Sequence, residues 1–266
     1  MGLLQIFILA IVQGITEFLP ISSSGHLVIF SSFTDWSDQG LEFDVAVHIG
    51  TLGAVLLYFR KDIIKILIGI IKPKNSTARS GRALLIKVLV SIPPVIIAGG
   101  LLAWLDPNLF RSIEVIAYTT IGFGILLWIA DKLNISTNRV EKMPLSAPIL
   151  IGLAQALAVI PGTSRSGITI TAARMMGIER SNAAKFSMLI SIPVILAAGA
   201  LSAYKVTTTE HLIVISDLAI AMGISFVIAL LAITLLMKFI RIVGFGPFAL
   251  YRIALGGALL AIIYLD

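Results

Sequence analysis

The stretch Val12–Leu27, VQGITEFLPISSSGHL, is polar where its surroundings are not. It holds a glutamate, a histidine, three consecutive serines, two glycines and a proline. The largely apolar run before it, Leu3–Val12, is ten residues long, and the run after it, 27–33, is shorter. Neither reaches the ~20 residues that cross a bilayer, whereas ~10–14 suits a re-entrant segment. The stretch therefore reads as the tip of a helical hairpin over 2–34, which enters the membrane, breaks near Pro20 and leaves on the same side. Irregular backbone at that depth is tolerated only where protein surrounds it or where it lines a wet cavity.

Composition puts the rest of the chain in the membrane too. Of 266 residues, 58% are hydrophobic and 13% charged, against ~25% charged in soluble domains. No basic segment precedes the first apolar run and no A-x-A site follows it, so the expectation is that the first residues are not a cleaved signal. The net charge of +6 sits in loops between apolar runs, which reads as topology and not as nucleic-acid binding. With no cysteine there is no disulfide framework and no thiolate metal site.

Six stretches are long enough to span: 41–59, 83–105, 112–130, 182–204, 212–237 and 247–265. Two are not: 2–34 and 145–172. The second short stretch carries its own polar cluster, AQALAVIPGTSRSGIT, Ala154–Thr169. The clusters align at a spacing of about 142 residues, with Gln13 to Gly25 matching Gln155 to Gly167 and SSSG at 22–25 matching SRSG at 164–167. Each also has a proline between, Pro20 and Pro161. Phe43 and Phe186 each stand seven residues before a helix-perturbing residue, Gly50 and Pro193. Three crossings separate the two hairpins, and an odd number inverts the second copy. The expected fold is an all-α polytopic membrane protein, an inverted-topology repeat with six transmembrane helices and two re-entrant helical hairpins. It forms one integral domain over 1–266, with repeat one about 1–131 and repeat two about 145–266. Such repeats place their site where the broken helices meet, near the midplane. Ser22–His26 should then face Ser164–Thr169.

Lysine and arginine set the orientation. Arg60, Lys61, Lys65, Lys72, Lys74, Arg79, Arg82, Lys87, Lys132, Arg139, Lys142, Arg174, Arg180, Lys185, Lys238 and Arg241 fall on one face, expected to be cytoplasmic. The other face keeps Arg111 and Lys205. Both termini and the mouth of the first hairpin then lie outside. Trp36, Trp104, Trp128, Tyr58 and Tyr204 fall near span ends, as interfacial anchors do.

Gln13 and Glu17, four apart, share one helix face. An ionised carboxylate at depth costs on the order of 2.5–3.5 kcal/mol, and intramembrane ionisable residues are functional by default. A divalent cation, Mg²⁺ or Ca²⁺, would offset that cost, since such ions are held by one or two carboxylates with phosphate oxygens; water or an ion pair with Arg165 would also do so. Ser22 reads as an N-cap after Pro20. The N–H groups of Ser23, Ser24 and Gly25 then form an anion site at a helix N-terminus. His26 lies within reach of the Ser22 or Ser23 hydroxyl, a pairing that suits a nucleophile with its base or a donor to a leaving oxygen. Arg165 forks onto phosphate at any relevant pH, while Ser164, Ser166, Gly167 and Thr169 supply hydroxyls and close backbone approach. Together these residues suit a dianionic phosphate and not an apolar or cationic ligand. Glu42 and Asp44 open a span at the interface. His48 reads as packed or bonded to a carbonyl, and Arg252 has a headgroup or backbone carbonyls as its available partners.

QGITEFLPISSSGH, 13–26, and PGTSRSGIT, 161–169, resemble the two signatures of the undecaprenyl-diphosphate phosphatase family, the bacitracin-resistance membrane proteins. The similarity extends over the whole chain, including FGPFALYR at 245–252. The resemblance implies hydrolysis of undecaprenyl diphosphate to the monophosphate and inorganic phosphate with a divalent cation, which recycles the lipid carrier of cell-wall synthesis. By matching position, it implies Glu17 as the metal-linked acid, Ser23 and His26 as the catalytic serine and histidine, and Arg165 as the phosphate-binding arginine. Gln13, Ser22, Ser24, Gly25, Ser164, Ser166, Gly167 and Thr169 are expected around the substrate. Gln13 is a departure, being glutamate in many relatives, so Glu17 is the only carboxylate of the first motif. The implied location is the plasma membrane of a bacterium, with the site opening to the extracytoplasmic face. The expected partners are a prenyl diphosphate lipid and the bilayer, and a homodimer is left open.

A transporter or flippase of a phosphorylated prenyl lipid shares this architecture. It differs in releasing no phosphate in detergent, where there are no two sides. A lipid phosphatase with a histidine nucleophile and a second histidine base is disfavoured, because the next histidine after Arg165 is His211, in an outer loop.

Overall fold

The structure is a computed structural model that describes residues 2–23, 25–26, 34, 36, 40–71, 76–106, 109–110, 112–133, 140, 143–206 and 215–265. Its elements are helices: α1 (Leu3–Thr16), α2 (Gly40–Tyr58), α3 (Arg60–Ile71), α4 (Ser76–Val90), α5 (Pro93–Leu105), α6 (Ile113–Leu133), α7 (Ser146–Ala156), α8 (Arg165–Met175), α9 (Arg180–Val206), α10 (Ile215–Ile242) and α11 (Gly246–Leu265). Among the described residues, five helical segments are long and apolar enough to cross a membrane: Ala78–Leu105, Ile113–Leu133, Arg180–Ser202, Ile215–Ile242 and Gly246–Leu265. Five of the expected stretches overlap them, with 212–214 outside the described residues. The sixth, 41–59, is α2, a 19-residue helix with Glu42, Asp44 and His48 in its first half.

The expected uninterrupted stretch at 83–105 is two helices. α4 ends at Val90 and α5 begins at Pro93, with Pro94 after it. Two consecutive residues without an N–H, whose rings crowd the preceding turn, end one helix and start the next.

The chain breaks at both expected places, where the prolines and serines stand; the return arm expected at 27–33 lies outside the described residues. α1 is 14 residues long and gives way to turn from Glu17 to Ile21 before the chain turns helical again at Ser23. α7 is 11 residues, followed by a short tight helix at Leu157–Val159, and α8 is 11 residues. An 11-residue arm rises ~16 Å, about half of the ~30 Å hydrocarbon core. Neither α1, α7 nor α8 can cross alone.

Without a hydrophobic drive inside lipid, helices associate through close contact at small residues. α2 lies on α10 where Gly50 approaches the Met222 carbonyl and the Ser225 hydroxyl. α11 lies on α6 where Gly256 meets Ile121 and the Ala117 carbonyl. The largest apolar core gathers Phe18 of the first break, Val55 of α2, Ile170 of α8, Phe186 and Ile190 of α9, and Ile233 of α10.

One end of the bundle is fastened by Asp131, at 5% exposure. Its carboxylate accepts Arg174 Nε at 3.1 Å, Arg180 Nε at 2.8 Å, Arg180 Nη2 at 2.9 Å and the Phe245 N–H at 3.0 Å. The end of α6, the last turn of α8, the first turn of α9 and the start of α11 therefore meet at one level. Lys185 with Asp62, 2.7 Å apart, adds the start of α3 to that side. Arg174, Arg180 and Lys185, three of the basic residues expected on one face, are on that side.

Candidate active site

The two breaks use the same backbone device. Ser22 and Ser164 are the positive-φ residues other than glycine among those described, at 72° and 67°. Left-handed backbone costs roughly 1–2 kcal/mol for an L-residue, and short polar side chains repay part of that by bonding locally. Ser22 Oγ accepts the Gly25 N–H at 3.3 Å, and Ser164 Oγ accepts the Gly167 N–H at 3.1 Å. Each serine caps a helix restart, 142 residues apart in the chain.

Glu17 is the centre of the cluster. Its Oε1 accepts Arg165 Nη2 at 3.0 Å, so the head of α8 and the first break are joined by an ion pair. Its Oε2 accepts Gln13 Nε2 at 2.9 Å and the Ser23 hydroxyl at 3.1 Å. The i, i+4 spacing of Gln13 and Glu17 on one turn of α1 makes the first of these contacts. Ser166 Oγ donates to the Leu19 carbonyl at 2.8 Å, a second tie between the breaks. Ser164 Oγ lies 3.2 Å from Ser166 Oγ. Thr169 faces away from Glu17: its hydroxyl donates to the Arg165 carbonyl at 2.8 Å and meets Ser187 Oγ at 2.7 Å. The Ser187 carbonyl in turn accepts Arg165 Nη1 at 3.3 Å, so Thr169 and Ser187 hold the arginine in place. Ser24 lies outside the described residues.

His26 does not pair with either serine hydroxyl, contrary to the expectation. In the first helical turn its Nδ1 sits over the Ser22 carbonyl at 2.7 Å. A carbonyl only accepts, so Nδ1 carries the proton and Nε2 is the acceptor. Nε2 faces the Tyr251 hydroxyl at 2.6 Å, with the two rings stacked. Ser23 instead donates its hydroxyl hydrogen bond to Glu17 Oε2.

Four residues join the cluster that spacing did not place there. His48 Nδ1 donates to the Asp44 carbonyl at 2.6 Å, which leaves Nε2 to accept the second N–H of Gln13 at 3.2 Å. His48 also stands 3.8 Å from Glu17 Oε2. Ser187, Tyr251 and Arg252 complete the set. An ionisable residue within a span is a site candidate by default, and that rule alone would have flagged His48 and Arg252. Nothing local marks Ser187 or Tyr251, whose partners are 22 and 225 residues away in sequence.

Among the described residues no three histidine, cysteine, aspartate or glutamate side chains gather as a metal site. One feature bears on a hard cation: Gln13 Oε1 is buried without a hydrogen-bond partner, on the amide whose Nε2 donates to Glu17. Two oxygen donors completed by phosphate oxygens suit Mg²⁺ or Ca²⁺ chemistry.

A sequence model of the family described as bacitracin resistance protein BacA matches residues 6–258. The chain is 48% identical to an undecaprenyl-diphosphatase of Hahella chejuensis over 263 residues, 98% of each chain. It is 46% identical to one of Ruegeria pomeroyi over 268 residues, 99% of this chain and 100% of the relative. It is 44% identical to one of Saccharophagus degradans over 264 residues, 99% of both.

Proposed function

The chain belongs to the bacitracin resistance protein BacA family, and from that premise we propose that it hydrolyses undecaprenyl diphosphate to undecaprenyl phosphate and inorganic phosphate in a bacterial membrane. The observation that carries the reading is the Glu17 carboxylate, which holds Arg165 of the second break on one oxygen and Ser23 of the first on the other. A phosphate that displaces Glu17 from Arg165 meets a forked cation and lies beside a hydroxyl whose proton already points at a carboxylate.

In this reading Ser23 Oγ attacks the terminal phosphorus and its proton passes to Glu17. The bridging P–O bond breaks and undecaprenyl phosphate leaves. Water then attacks the phosphoserine, releasing inorganic phosphate and restoring the hydroxyl. Arg165 and the N–H groups in the first turn of α8 stabilise the charge on the transferring phosphoryl. The proton that Glu17 takes from Ser23 is the one available to the leaving group, while His26 Nε2, unprotonated, holds the Tyr251 hydroxyl. Glu17, with the Gln13 amide turned to present Oε1, would hold a divalent cation, which would supply Lewis-acid charge to the phosphoryl oxygens.

The finer architecture belongs to the same proposal. The paired serine devices at 22 and 164 support two copies of one hairpin, and the half-bilayer arms support a site near the midplane. Inversion of the copies would put the hairpin mouths on opposite faces, with the first opening outward, where the substrate's diphosphate is expected. Release of inorganic phosphate by purified protein in detergent tests the reading. Chelation of divalent cations should lower the rate at least ~10-fold, and Mg²⁺ or Ca²⁺ should restore it. A protein that binds the lipid and frees no phosphate would be a carrier.

A further inference from the structure

Arg252, on α11, is wholly buried, at 0% exposure. Among the described residues no carboxylate stands within ion-pair distance of it. Its bonds go to backbone carbonyls on three elements. Nη2 donates to Gly162 and Thr163, each at 2.9 Å, and Nη1 reaches the Pro20 carbonyl at 3.5 Å. Nε donates to the Thr120 carbonyl of α6 at 3.2 Å. One guanidinium thus touches both broken backbones and a spanning helix.

Two physical consequences follow. A buried cation without a counter-ion is strongly disfavoured unless its field is answered, and dipoles of carbonyls answer it only in part. Among the described residues the charged side chains bonded across the breaks are Glu17, Arg165 and Arg252, an excess of positive charge before substrate arrives. A trans peptide also holds its N–H opposite its C=O. Drawing the Thr163 carbonyl onto Arg252 turns the Ser164 N–H away from it, at the head of α8. The fit is close: a Cβ at Gly167 would lie 2.6 Å from Arg252 Nη1.

We propose that Arg252 is a positioning residue of the phosphatase site, bolting the two hairpin breaks together from behind and adding a buried positive charge to the field that holds the diphosphate. The proposal rests on the phosphatase reading for its catalytic half and on geometry alone for its bolting half.

The test uses purified Arg252→Lys, Arg252→Met and Gly167→Ala. Each is measured for kcat and KM with undecaprenyl diphosphate and for thermal unfolding in detergent. The chain has no cysteine of its own, so spin labels on Ile15→Cys and Leu157→Cys report the distance between the breaks. Arg252→Met should stay folded, lose at least ~30-fold in kcat and broaden the label distance, with Arg252→Lys recovering part of kcat through its charge. A purely structural role would lower the unfolding temperature and leave the folded fraction's kcat unchanged. The proposal is overturned if folded Arg252→Met turns over within about threefold of the parent with an unchanged label distance. If neither Arg252 variant folds, Gly167→Ala, which pushes the guanidinium out of place, is judged by the same two readouts. If the parent itself frees no phosphate, it is the phosphatase reading that fails, and the label distance alone decides the bolting half.

Discussion

A single carboxylate does most of the organising at the level of side chains. Glu17 is 8% exposed, yet four polar groups converge on it, from Gln13, Ser23, Arg165 and, farther off, His48. In the proposed mechanism the pairing of Ser23 with Glu17, and of His26 with Tyr251, sends the serine's proton to the carboxylate and not to the imidazole. Ser23→Ala should therefore reduce kcat on the order of 10³-fold with little change in KM, because it removes the attacking oxygen and little binding. Near-normal turnover would rule out a phosphoserine and leave Ser23 as a water-orienting group. Single-turnover trapping of labelled phosphate on the protein checks the same point directly.

Helix lengths and their fastenings set where those side chains stand. α8 runs from Arg165 at the break to Arg174 at the Asp131 hub, so the hub fixes how far into the bundle Arg165 reaches. Asp131→Ala leaves two guanidiniums around a lost carboxylate, which for a buried pair costs roughly 3–5 kcal/mol. Thermal unfolding in detergent should fall by several degrees, with activity of the folded fraction reduced because Arg165 loses its register. An unchanged unfolding temperature would show that the hub fastens nothing. Most elements were legible in advance because length and polarity are local. The short apolar arms at 3–16 and 146–156, the prolines and the serine turns announce breaks without any knowledge of neighbours. Apolar length marks 83–105 as long enough to span, and it lies in the candidate span Ala78–Leu105; Pro93 and Pro94 mark where that span divides into two helices. Contacts such as His26 with Tyr251, or Arg252 with Gly162, depend on how distant helices meet. Periodicity cannot show that. Spacing puts His26 within reach of the Ser22 or Ser23 hydroxyl but gives no direction, and the ring turns to the Ser22 carbonyl and Tyr251.

In the proposed topology this cluster lies inside a bundle whose basic loops fall on one side. That arrangement predicts a split labelling pattern, which the absence of cysteine makes easy to read. Single cysteines at Lys61 and Lys238 should react only with reagent admitted to the cytoplasm, and those at Asp106 and Leu265 with impermeant reagent added outside. Reaction of both pairs from one side would break the proposed orientation. The central claim is narrower: two serine-capped breaks meet, and the contact between them cleaves a diphosphate. Phosphate release from undecaprenyl diphosphate by purified Glu17→Ala and Arg165→Lys, beside the parent in detergent, tests it most directly. The parent should turn over, and each variant, still folded, should lose at least ~10²-fold in kcat/KM, lysine failing because it cannot fork. A parent that frees no phosphate, or folded variants that keep its rate, would contradict the account.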